Sequence, residues 1–182
     1  MPRQKVDLVN GEIYHICYRA VGDSLIFKNE DDYYRGIFSL YEFNDSTPKT
    51  IWLRRKQRKA EKRSILSSLT PHHSESVPMR DCFVEVLVFC FMPNHIHLLL
   101  RQLVDNGISK FLQKVGGGYA SYFNQKYKRK GHLFNQFKAI YIKDDNQLWN
   151  VVNYIHCNPI SLVEPNWKEE GISDPERALD FL

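Results

Sequence analysis

No run of apolar residues in this sequence approaches the roughly 18 that a membrane-spanning helix requires, so nothing in it reads as a bilayer span. Cysteine is scarce: Cys17, Cys82, Cys90 and Cys157 show no Cys-x-x-Cys spacing, and three of them lie inside apolar runs. That pattern excludes a disulfide framework and suits buried, reduced thiols in a cytoplasmic protein. Met1 to Val9 is too polar for a secretory leader. The single glycine cluster, Gly116-Gly117-Gly118, is not followed by Lys-Ser or Lys-Thr, which argues against a phosphate-binding loop. Internal repeats are absent too.

The 182 residues fit one compact domain plus an appendage, with 43% hydrophobic and 25% charged residues as in ordinary globular chains. The net charge of +4 hides an asymmetry. Residues 164–182 hold six acidic side chains against Lys168 and Arg177, which leaves +8 on the first 163 residues. Such an excess suits a polyanion, nucleic acid being the default partner.

Along the chain, Glu12 to Ala20 alternates as a strand, with Ile13, His15 and Cys17 opposite Tyr14, Ile16 and Tyr18. A helix beginning at Asp31 or Asp32 and ending near Glu42 carries Tyr34, Ile37, Phe38 and Tyr41 at helical spacing. Residues 49–80 change character: Arg54, Arg55, Lys56, Arg58, Lys59, Lys62 and Arg63 crowd together ahead of a polar stretch. They read as a basic helix and flexible linker inserted between core elements, either a solvated surface or a salt-sensitive phosphate contact. Asp81 to Phe91 and His95 to Arg101 are strands around a Pro93-Asn94 corner. Gly107 to Tyr127 is a long helix, in which the three glycines predict a kink or a close backbone approach. Phe137 to Lys143 is a fourth strand. A last helix, capped by Asp144, Asp145 or Asn146, runs to Cys157, where Pro159 limits it. This order predicts an α+β fold: a ferredoxin-like or RRM-like split βαβ antiparallel sheet with helices on one face, plus an extra C-terminal helix.

The chemistry concentrates in two places. In Phe89-Cys90-Phe91-Met92-Pro93-Asn94-His95-Ile96-His97-Leu98-Leu99-Leu100, side chains alternate, so His95 and His97 share one strand face while Ile96 and Leu98 take the other. Two in-phase imidazoles can grip a divalent cation. Equally, two histidines on one strand face can be plain surface residues. On the last helix Tyr154 and Asn158 lie one turn apart, offset from the stripe of Leu148, Val152 and Ile155. A tyrosine beside a cation can attack a phosphodiester. An Asn carbonyl is a hard ligand that would complete His95 and His97 around Mg²⁺ or Mn²⁺. The competing reading is a tyrosine at the border of a core and an asparagine that ends a helix before proline.

Met92-Pro93-Asn94-His95-Ile96-His97-Leu98-Leu99 together with Asn153-Tyr154-Ile155-His156-Cys157-Asn158-Pro159 closely resembles the single-tyrosine HUH transposases. Within them it is most similar to the REP-associated tyrosine transposases. Tyr14-His15-Ile16 with Arg19, Gly107-Ile108-Ser109-Lys110-Phe111 and Gly131-His132-Leu133-Phe134 extend the likeness over about residues 10 to 165. The resemblance implies that His95 and His97 bind the metal, that Tyr154 is the nucleophile and that Asn158 is the third ligand. It implies cleavage of single-stranded DNA beside hairpins through a 5′-phosphotyrosine link, with release of a 3′-hydroxyl, rejoining by the reverse step, and no nucleotide cofactor. Candidate DNA contacts are Arg19, Arg54, Arg55, Lys56, Arg58, Lys128, Arg129, Lys130 and His132. The protein is expected to act as a monomer or homodimer.

Two departures accompany the likeness. Asn135-Gln136-Phe137 stands where relatives often carry Gly-Arg. The last residues, Asp180-Phe181-Leu182, end without a helix cap, so 1–165 reads as the transposase domain and 166–182 as part of a truncated acidic tail. A non-catalytic RRM-like module that holds hairpin DNA or RNA, or a decayed transposase, would use the same aromatic and basic residues. A histidine-triad nucleotide hydrolase would need a third histidine at position 99, which is leucine.

Overall fold

A computed structural model describes residues 6–47, 56, 59 and 80–179. The elements run β1 (Ile13–Arg19), α1 (Glu30–Phe43), β2 (Val84–Met92), β3 (His95–Gln102), α2 (Gly107–Lys126), β4 (Lys138–Tyr141) and α3 (Asp145–Cys157). A 3-10 turn at Asn158–Leu162 then leads to two short helices, α4 (Trp167–Glu170) and α5 (Pro175–Leu179). The sheet order is β2-β3-β1-β4, with every neighbouring pair antiparallel. This is the expected split-βαβ sheet, and these seven elements follow the expected order; the basic helix and linker expected over 49–80 lie outside the described residues apart from Lys56, Lys59 and Arg80. No helix among the described residues is long and apolar enough to cross a membrane.

Alternation along β1 and β3 divides the molecule into layers. Tyr14, Ile16, Ile96, Leu98 and Leu100 point to one side, where they meet Phe111, Leu112, Val115, Tyr119 and Phe123 of α2 in the main core. On the opposite side Cys90, Met92 and Leu99 meet Ile155 of α3 and Ile142 in a second, smaller core. Helix α3 therefore covers the sheet face that α1 and α2 leave open. It starts at Asp144, whose carboxylate accepts from the Gln147 amide at 2.8 Å while Gln147 Oε1 accepts from the Lys143 amide at 2.8 Å. That reciprocal exchange satisfies amides left free at a helix start.

Helix α1 departs from expectation. Asn29, not Asp31 or Asp32, is its cap. Its apolar stripe is not its buried face, for Tyr34, Ile37 and Tyr41 are exposed and Gly36, Ser39 and Leu40 face inward. At Gly36 a small residue is favoured because the rings of Phe27 and Phe91 lie 3.0 Å from where its Cβ would stand. Asp32, fully buried at the start of the helix, accepts from Tyr127 Oη at 2.7 Å, Lys126 Nζ at 2.8 Å, the Lys28 amide at 2.9 Å and Tyr122 Oη at 3.0 Å. This cluster ties the start of α1 to the end of α2. Burial alone would raise the Asp32 pKa, but the bonds from Lys126, Tyr127, Lys28 and Tyr122 outweigh it and hold the carboxyl below its usual range.

The glycine triplet does not kink α2, which is continuous from Gly107 to Lys126. The alternative, close approach, is what two of the three glycines serve. A Cβ on Gly116 would collide with the Tyr18 hydroxyl, and one on Gly118 with the Phe43 ring, whereas Gly117 faces open space. Gly117→Ala is thus expected to raise stability by about 1 kcal/mol, and Gly116→Ala and Gly118→Ala to lower it, in urea melts of the three variants. Asp32→Asn should cost about 3 kcal/mol at pH 7. A depressed carboxyl pKa stabilises the fold above the unfolded value near pH 4 and loses that contribution as pH falls through the folded value. The Asp32→Asn penalty should therefore shrink in melts below about pH 4; a penalty independent of pH would contradict the clamp.

Candidate metal and nucleophile site

Strand pairing builds the site floor. Cys17 of β1 and Cys90 of β2 stand opposite His97 on its two sides, and Arg19 and Met92 stand opposite His95. Lys138 of β4 pairs with Cys17 and extends the row. The turn that starts β3 is fixed through its carbonyls: Pro93 accepts from the Ile26 amide at 2.7 Å, and Asn94 from the Ala20 amide at 2.9 Å.

His97 is buried and bonded through both ring nitrogens. Its Nδ1 lies 2.9 Å from His15 Nε2, and its Nε2 lies 3.0 Å from His95 Nε2. The His15 and His97 rings stack at 5.1 Å. His95 Nδ1 is held in turn by Asn94 Oδ1 at 2.6 Å. Burial, then the nearby charges of Arg19 and Lys168, push the His95 pKa down to about 4. Burial, the neighbouring imidazoles of His95 and His15, and the same two cations push that of His97 down to about 3. Burial lowers His15 as well. All three rings are therefore neutral at pH 7 and carry one lone pair each.

The Nε2 pair suits a cation. Two donors about 2.1 Å from an octahedral ion, at a right angle, stand about 3.0 Å apart, which is the spacing observed. Among the described residues no group of three or more His, Cys, Asp or Glu could hold a metal, so a third donor from these residues would be of another type. Burial pushes the Cys90 thiol up to about 11, so it stays protonated and is a poor ligand. Asn158, the residue after α3, is 2% exposed, and its Nδ2 has no hydrogen-bond partner. An amide can be turned end for end to present its oxygen instead, so this orphaned group is a suitable hard donor.

Tyr154 reaches the same place from α3. Its ring meets His97 edge-on at 5.4 Å and His15 at 5.8 Å between centroids. Its hydroxyl accepts from Lys168 Nζ at 3.3 Å, and that ammonium also lies 4.5 Å from the ring centroid. Of the four sequence-predicted site residues, His95, His97 and Tyr154 adjoin, while Asn158 is buried one turn after Tyr154, just past the end of the helix.

Residues 43–158 match the sequence model of the family described as Transposase IS200 like. The chain belongs to the IS200-like transposase family. Among curated proteins, none matches this transposase. Among solved structures, it is similar to a REP-associated tyrosine transposase bound to a REP hairpin. The likeness has 12% identity and a TM-score of 0.56 over 94% of this chain and 76% of that one. A provisionally assigned transposase from Deinococcus radiodurans R1 is similar at 13% identity and a TM-score of 0.43, over 86% of this chain and 95% of that one.

The basic residues of the transposase fall in different settings. Arg19 is half exposed beside the histidines and paired with Asp23 at 3.0 Å. Lys128, Lys130 and His132 are exposed. Arg129 instead braces its own loop, donating to Asn124 Oδ1 at 3.1 Å and to the His132 carbonyl at 2.9 Å. Arg54, Arg55 and Arg58 lie outside the described residues, and Lys56 is helical. An open cleft of about 500 Å³, lined by Cys17, Arg19, Asn135, Gln136 and Lys138, adjoins the histidine row.

Two residues to which the sequence assigns no site role also stand here, His15 and Lys168. In-phase alternation of His15, Cys17 and Arg19, combined with the split-βαβ strand order, would have put His15 beside the strand of His95 and His97. No pattern in the sequence links Lys168 to Tyr154.

Proposed function

We propose that this transposase cuts and rejoins single-stranded DNA beside a hairpin, in the cytoplasm, through a 5′-phosphotyrosine intermediate on Tyr154. His95, His97 and Asn158 would hold a divalent cation, Mg²⁺ or Mn²⁺. The observation that carries the reading is the pair of facing Nε2 atoms 3.0 Å apart with the Tyr154 ring against one of them. Family membership and the hairpin-bound solved relative support a DNA hairpin as partner.

When bound, the cation would supply Lewis-acid polarisation of the phosphoryl oxygens. The remaining work belongs to side chains. The Tyr154 oxygen attacks the phosphorus and its proton passes to solvent. A P–O bond forms to the tyrosine, and the P–O3′ bond breaks. The departing oxygen takes up a proton and leaves as a 3′-hydroxyl. Lys168, already at the phenol oxygen, steadies the nucleophile and brings positive charge to the phosphate. Arg19 and Lys138, at the cleft beside the histidines, are suited to the phosphates of the flanking strand. Because the covalent link keeps the bond energy, the reverse step rejoins strands without a nucleotide cofactor.

A binding module of RRM type is less well supported. Such modules stack bases on aromatic rings of an open sheet face. Here the site face of β1 and β3 offers Ile13, His15, Cys17, Arg19, His95, His97, Leu99 and Arg101, while Tyr14 and Tyr18 belong to the main core.

Incubation with single-stranded hairpin DNA and Mn²⁺ should give a protein–DNA adduct that survives denaturation. Tyr154→Phe should abolish the adduct with hairpin affinity within about twofold, and His97→Ala should slow its formation by at least roughly 100-fold. Adduct from Tyr154→Phe would reject Tyr154 as nucleophile. Hairpin binding with no adduct from the unmodified protein would favour the binding module.

A further inference from the structure

His15 belongs to no metal-ligand set proposed above, because its Nε2 faces the Nδ1 of His97, not the Nε2 pair. Its place is behind His97, and the hydrogen-bond chain constrains what it must do there. A neutral imidazole, the form that binds a metal, has one N–H and one bare nitrogen. Asn94 Oδ1 can only accept, so His95 keeps its proton on Nδ1 and offers a bare Nε2.

A cation between the two Nε2 atoms requires both to be bare. The His97 proton must then sit on Nδ1, and His15 Nε2, 2.9 Å away, must accept from it. We propose that His15 is a positioning residue that fixes the metal-competent tautomer of His97 by accepting from its Nδ1. The proposal rests on the cation reading given above. The tautomer of a ring nitrogen is set by the bond its other nitrogen makes, and outer partners of this kind commonly govern metal affinity. His15 is only half-buried, so its outer nitrogen can exchange a proton with water.

Two measurements on the full chain test this, neither needing DNA or turnover. Mn²⁺ affinity should fall about 10- to 100-fold in His15→Phe, which removes the acceptor. His15→Gln restores a carbonyl acceptor and should recover most of that loss. Nitrogen-15 NMR of the histidine rings of the unmodified protein in saturating Mg²⁺ should show His97 and His15 each with the proton on Nδ1.

His97→Ala separates the two ways to fail. Unchanged Mn²⁺ affinity in His97→Ala would overturn the cation site itself and this inference with it. Loss of affinity in His97→Ala with none in His15→Phe would overturn only the role of His15. If His15→Phe does not fold, the NMR result decides: a cation-bound protein with His97 Nδ1 bare would overturn the proposal.

Discussion

The register between β1 and β3 is the constraint on which everything else in the molecule depends. Ile16 stands opposite Leu98, and Cys17 opposite His97. A slip of one residue would turn the histidines into the main core and Leu98 out of it. Ile16, Leu98 and Leu100 are all fully buried, and each such side chain is worth roughly 1.5–3 kcal/mol. A slip would forfeit several of these at once and leave polar rings without partners. The apolar half of β3 thus aims the histidine half.

Helix α3 turns that aimed surface into a site. Ile155, with Leu148 and Val152 beside it, packs on Leu99, Cys90 and Met92, seating the helix over β2 and β3. Tyr154 is the neighbour of Ile155, so the residue that anchors the helix also sets where the phenol sits. Toward β4 the cleft by Arg19, Gln136 and Lys138 opens beside the histidines. One face of one sheet therefore offers a closed end, with imidazoles and phenol, and an open end with cations. A strand lying along the open end would bring a phosphate to the closed one.

Much of this was legible in the sequence because the signals are local. Strand alternation put His95 and His97 in phase, and helical spacing put Tyr154 and Asn158 one turn apart; neither needs tertiary information. The element order was enough to predict the sheet. What was hidden depends on packing between distant segments. Helix α1 turns Asp32, Gly36, Ser39, Leu40 and Glu42 inward and exposes Tyr34, Ile37 and Tyr41, with the rings of Phe27 and Phe91 tight against Gly36. The glycines of α2 admit Tyr18 and Phe43, residues far away in the chain. His15 gains its meaning from a partner 82 positions on, and Lys168 lies in a stretch whose composition reads only as an acidic tail.

The central claim is that two imidazoles of β3 hold a cation within reach of Tyr154. Crystals soaked in Mn²⁺ test it most directly, through the anomalous signal of the metal. The account predicts a single strong peak about 2.1–2.2 Å from both His95 Nε2 and His97 Nε2, with the Asn158 amide turned toward it and the phenol of Tyr154 on its open side. A peak elsewhere, or an empty position between the two rings at saturating metal, would contradict it.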